Sequence, residues 1–146
     1  DILDLIISFI YIILAGYFIM QIPYLSYVHV VMYVALILNA LIIAMGFHIA
    51  VLALGILSAE VDHTIMIYRD ITKMGTFPID IYQQPIRFIL TFIIPIGIML
   101  TMPVKGLLGI LNTELYLISF LMAAAILGLS LLFWQYALRR YQSWGG

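Results

Sequence analysis

The sequence has no cysteine. Disulfides, thiolate catalysis and cysteine-based metal sites are therefore excluded. Charge is almost as scarce. Six Lys/Arg and seven Asp/Glu make up 9% of the 146 residues, against roughly 25% in an ordinary soluble domain. The formal net charge is -1, so no basic field attracts nucleic acid. Several catalytic signatures are missing too. There is no G-x-x-x-x-G-K-[ST] to cradle ATP phosphates, no G-x-G-x-x-G, no H-E-x-x-H and no G-x-S-x-G. These gaps argue against a self-contained ATPase or a familiar hydrolase.

What is present is apolar. Hydrophobic residues make up 66% of the chain, and mean hydropathy is +1.20. A soluble domain of this size cannot hide so much apolar surface. The composition predicts an all-α, polytopic bundle of membrane-spanning helices in the lipid bilayer. The chain begins at Asp1 rather than Met, which we read as truncation of a longer protein.

A spanning helix needs about 20 mostly apolar residues. No Asp, Glu, Lys or Arg occurs from Leu5 to Ala59, from Phe88 to Val104 or from Leu115 to Leu138. Pro23 and its polar neighbours divide the first stretch near Gln21 to Ser26. The expected spans are 2–20, 27–57, 85–102 and 114–138 within one transmembrane domain, 1–146. The second is overlong and must tilt or protrude. Asn112 or Thr113 caps the fourth, with Glu114 in its first turn.

The charge-rich segment runs from Ser58 to Gln84. On a helical wheel Val61, Ile65, Ile67, Tyr68, Ile71 and Met74 share one arc. Asp62, His63, Arg69, Asp70 and Lys73 share the other. This predicts an amphipathic helix lying in the cytoplasmic interface. Each Asp, Lys or Arg near the bilayer centre would cost roughly 2.5–3.5 kcal/mol. Gly75 and Pro78 end the helix. Four spans put both termini on one side. Arg69, Lys73, Arg87, Arg139 and Arg140 share that side and Lys105 stands alone on the other, so the termini are expected in the cytoplasm.

Few residues suggest chemistry. Asn39 and His48 are polar residues placed within the second span, where an ionisable group is a functional candidate. The plainer reading is hydrogen bonding to a neighbouring helix. Glu60 and His63 have the Glu-x-x-His spacing of di-iron bundles, yet the further pair and carboxylates such a site needs are absent. A solvated helix start is the better reading. Pro95 removes a helical hydrogen bond and frees the carbonyl of Thr91, with Gly97 close behind. That break predicts either a simple kink or a hinge lining a path. The candidate path or hinge residues are thus Asn39, His48, Thr91, Pro95 and Gly97. The candidate cytoplasmic interface is Arg69, Asp70, Lys73, Arg139 and Arg140.

From Gly75 onward a wider pattern emerges. The run Phe77-Pro78-Ile79-Asp80-Ile81-Tyr82, then Arg87, then Leu90-Thr91-Phe92-Ile93-Ile94-Pro95, then Pro103 and Leu107-Leu108-Gly109 resembles the permeases of ABC-2-type ATP-binding cassette transporters. The ending Trp134-Gln135-Tyr136-Ala137-Leu138-Arg139-Arg140-Tyr141 is similar to the closing signature of one bacterial branch. Phe77 stands where Tyr is commoner, and Trp144 interrupts the small-residue tail. The resemblance covers roughly the second half of the chain. It implies a six-span permease whose first two spans and coupling helix lie outside this sequence. It implies an exporter subunit in the inner cell membrane that pairs with a second permease, homo- or heterodimeric. This chain would bind no cofactor, and ATP and Mg would sit on a separate ABC ATPase subunit. In related permeases a re-entrant hairpin precedes the last span. The segment 78–103 is therefore read either as a span or as that hairpin.

Two other readings arise from the residues. One is an ion- or proton-coupled secondary transporter using His48. The other is a non-catalytic membrane scaffold subunit. An intramembrane enzyme is disfavoured by the lack of paired catalytic groups.

Overall fold

The computed structural model describes residues 2–58 and 61–144, and no strand occurs among them. Three helices are long and apolar enough to cross a membrane. The first, α1 (Ile2–Met20), has no buried residue. It ends where Pro23 interrupts the helical pattern. The second, α2 (Tyr27–Ser58), has 32 residues, which at 1.5 Å per residue is about 48 Å, against a hydrocarbon core of about 30 Å. The expected excess length is therefore present.

The last helix, α6 (Thr113–Trp144), also has 32 residues and carries Glu114 in its first turn. It packs along α2. The buried stripe Leu36, Asn39, Ala40 and Ile43 recurs at three and four residues on α2 and meets Ser119 and Ala123 on α6. Asn39 bonds to Ser119, and Gly46 faces Ile126 further along. Both pairs advance in the same direction, so α2 and α6 run parallel. Gly46 permits the approach. A Cβ there would lie 2.9 Å from the Ile126 Cγ2 and 3.3 Å from the Leu127 backbone nitrogen.

Parallel neighbours require the chain between them to come back. The return is made in pieces. First comes α3 (Val61–Lys73). Tyr68 stacks on Phe47 at 6.1 Å between ring centroids and meets His48 edge-on at 5.0 Å. Phe47 and Tyr68 each lie about ten residues from Ser58, or about 15 Å of helix, so α3 folds back antiparallel along α2. Its two faces divide in part as expected. Ile65, Tyr68 and Ile71 are half-buried and Arg69, Asp70 and Lys73 are exposed, but Ile67 and Met74 of the expected apolar arc are exposed as well. Ala59 and Glu60 lie outside the described residues.

After the short turns Met74–Thr76 and Ile79–Ile81, the chain enters a broken helix. Its first arm joins α4 (Ile86–Phe88) to a π-helical turn, Ile89–Ile93. Its second arm joins another π-helical turn, Gly97–Thr101, to α5 (Met102–Leu107). The arms, Ile86–Ile93 and Gly97–Leu107, are bent by 78°. The expected span 85–102 is thus not one straight helix. Pro95 lacks the donor needed to continue the helix, and the Ile94 amide instead donates to the Ile89 carbonyl at 2.9 Å.

The second arm completes the return. Ile98 and Met102 pack with Ile43 and Ala123. A Cβ on Gly106 would meet Leu36, and the imidazole of His29 covers Gly109. Gly109 has φ +68°, a left-handed conformation that suits glycine. The second arm therefore climbs from the middle of α2 toward its start, where α6 begins.

Candidate functional site

The broken helix is held by groups from both sides of its bend. Ile79 is buried over Gly97, where a Cβ would collide with the Ile79 Cδ1. The Ile79 amide donates to the Thr101 hydroxyl at 3.2 Å. Ile79, Leu90 and Ile96 form a small apolar cluster with Ile71 and Tyr82. The Tyr82 hydroxyl donates to the Met74 carbonyl at 2.9 Å. These contacts seat the turn Ile79–Ile81 between the arms.

That seating aims Asp80 at two cations. The Arg87 guanidinium donates to Oδ1 at 2.6 Å, and the Lys105 ammonium lies 2.7 Å from Oδ2. Hydrogen bonding from Lys105 holds the Asp80 carboxyl below the usual range, against a smaller desolvation effect. A straight helix would put Arg87 and Lys105 about 27 Å apart. Here both reach one carboxylate, so the segment is folded about its 78° bend and does not run straight. This corrects the sidedness argument that set Arg87 and Lys105 on opposite faces. The physical cause is the break at Pro95, together with attraction acting across residues distant in sequence. Lys105 also comes level with the middle of α2, between the contacts at Leu36 and Ile43.

Three candidate path or hinge residues meet at the bend. Thr91 is buried and its hydroxyl donates to the Arg87 carbonyl at 2.6 Å. Pro95 is fully buried, and Gly97 lies beneath Ile79. Asn39 and His48 lie elsewhere. The Asn39 amide nitrogen, 3% exposed, donates to the Ser119 carbonyl at 3.0 Å. His48 is exposed, with Nδ1 2.8 Å from the Ala44 carbonyl.

The candidate interface residues fall at two levels. Arg69, Asp70 and Lys73 stand on the outer face of α3, with a 2.7 Å ion pair between Asp70 and Lys73. That bond lowers the Asp70 pKa. Burial against α2 raises that of Tyr68. Arg139 and Arg140 are exposed near the end of α6, with Arg140 5.5 Å above the Tyr136 ring. No group of His and carboxylates able to hold a metal occurs among the described residues.

The arrangement is that of a membrane bundle with a broken, ion-clamped helix. The family model described as ABC-2 family transporter protein matches residues 1–145. The chain belongs to this family. The match includes the first half, which carried no recognisable motif in the sequence. As an ABC-2 family transporter protein the chain is a multi-pass membrane transport protein, and its family implies an ABC ATPase partner in general. No curated protein and no solved structure matches it.

The charged group at the bend was missed in the sequence reading. Asp80 figured there only within the resembling run, and Lys105 only as a loop charge. The available signal was an acidic residue between Pro78 and Pro85 in a segment where unpaired charge is costly.

Proposed function

We propose that this ABC-2 family protein is the permease subunit of an ATP-driven exporter. Two permease subunits, homo- or heterodimeric, form the substrate path between them. Separate ABC ATPase subunits bind ATP and Mg and power alternating access, and this chain contributes no catalysis of its own. The protein resides in the inner cell membrane with both termini cytoplasmic.

The family match over residues 1–145, in a chain without a phosphate-binding loop, carries this reading. The charge distribution supports the orientation, since Arg139 and Arg140 lie at the end of α6 that shares a side with the end of α2. In this scheme Thr91, Pro95 and Gly97 act as a hinge, and Asn39 and His48 lie on helices bordering the path. Arg69, Asp70, Lys73, Arg139 and Arg140 face the cytoplasmic machinery.

An affinity pull-down of the full-length protein from native membranes in mild detergent tests the proposal. Mass spectrometry should find a stoichiometric P-loop ATPase, whose ATP hydrolysis falls on dissociation. A folded, intact preparation without any ATPase would overturn the exporter reading. Crosslinkers placed at Arg69 and Lys73 should capture that ATPase, and their failure would remove α3 from the interface.

A further inference from the structure

A groove of about 360 Å³ opens beside the broken helix. Phe77, Leu100, Val104 and Leu108 form its apolar wall, and Asp80 and Lys105 lie at its polar end. All four wall residues are exposed. In a membrane protein such a wall faces acyl chains rather than water.

The charges beside it do not cancel. Asp80 carries one negative charge, whereas Arg87 and Lys105 carry two positive ones. Arg87 bonds Asp80 from outside the groove lining. The group as a whole carries one excess positive charge, and Lys105 is its cation that lines the groove. An ammonium has three donors, and Lys105 directs bonds to the two oxygens of Asp80. One donor remains for an anion. A surplus cation in a low-dielectric setting is expensive unless an anion offsets it.

We propose that this groove binds one anionic glycerophospholipid from the bilayer. Its phosphodiester accepts a hydrogen bond from Lys105, and one acyl chain lies along Phe77, Leu100, Val104 and Leu108. The single charge of a phosphodiester matches the single excess charge of the Asp80, Arg87 and Lys105 group. The volume suits a head and the first carbons of a chain, with the remaining tail in the membrane. This binding does not depend on the exporter reading and needs no ATPase.

The test is native mass spectrometry of the full-length protein in mild detergent, given equimolar phosphatidylglycerol and phosphatidylcholine. One phosphatidylglycerol should be retained about tenfold over phosphatidylcholine, whose phosphodiester is already offset by its own choline cation and cannot neutralise the excess charge. K105Q should abolish the preference and K105R should keep it. D80N removes the competing carboxylate and should strengthen it. L108W fills the apolar wall at an exposed position, leaves the charges in place and should reduce lipid retention. Equal retention of the two lipids by the unaltered protein would overturn the proposal. So would a preference that survives K105Q, or one that weakens in a D80N protein still folded at the assay temperature. Competition by millimolar inorganic phosphate equal to that by phosphatidylglycerol would show a simple anion site and overturn the lipid assignment.

Discussion

The ammonium of Lys105 lies 2.7 Å from the carboxylate of Asp80, across the bend of a broken helix. Arg87 bonds the same carboxylate from the other arm. The bent segment is therefore held by an ion group between its arms as well as by the proline at its break. Side-specific labelling tests this. Cysteines placed singly at Arg87 and Lys105 should react with an impermeant maleimide from the same side of the membrane. Labelling from opposite sides would restore a straight span.

The closure should depend on pH. The Asp80 carboxyl titrates below its ordinary value of 3.8. A carboxylate with a lowered folded pKa contributes stability that is present above the ordinary value and lost as pH falls through the lowered one. Melting temperature in detergent should therefore drop as pH falls below about 4. D80N should start lower at neutral pH and show less of that acid-dependent loss. An identical acid profile in both proteins would remove Asp80 from the account.

Asn39 joins the two parallel helices through a buried hydrogen bond to Ser119. Replacing Asn39 with Leu leaves that carbonyl without its side-chain donor. Interhelical hydrogen bonds in membrane bundles contribute about 0.6–1.7 kcal/mol. Asn39→Leu should lower unfolding free energy by about that amount in a denaturant titration. A neutral result would show that the close packing around Ile43 and Ala123 holds the pair alone.

Gly46 marks a close approach of α2 and α6. Leu at this position would push against Ile126 and the Leu127 backbone. Overpacking of this kind costs about 1–3 kcal/mol. Gly46→Leu should lower the melting temperature, whereas Gly16→Leu on α1, where nothing lies within 4 Å, should not.

The long helices were legible because apolar runs and their interruptions are local signals. The expected spans 2–20, 27–57 and 114–138 correspond to Ile2–Met20, Tyr27–Ser58 and Thr113–Trp144. The amphipathic arcs of α3 were legible for the same reason. Pro95 marked the break, but nothing local decided between a kinked span and a hairpin. The ion group of Asp80, Arg87 and Lys105 that spans the bend was not legible either, because its meeting depends on long-range folding. His48 looked chemically interesting because it is ionisable among apolar residues. Its ring lies near the Ala44 carbonyl and the Tyr68 ring, contacts that α3 creates only by folding back.

The parallel course of α2 and α6 has an electrostatic consequence. Peptide dipoles in antiparallel neighbours offset one another, whereas here they point the same way. Each helix end then carries about half an elementary charge of the same sign as its neighbour. At the carbonyl ends both are negative, and α2 has no basic residue in its last turn. Following the pairing of Asn39 with Ser119 along the helices brings Arg139 and Arg140 level with the end of α2. The two arginines on α6 are thus placed beside the carbonyl terminus of its neighbour, about one turn before α6 itself ends.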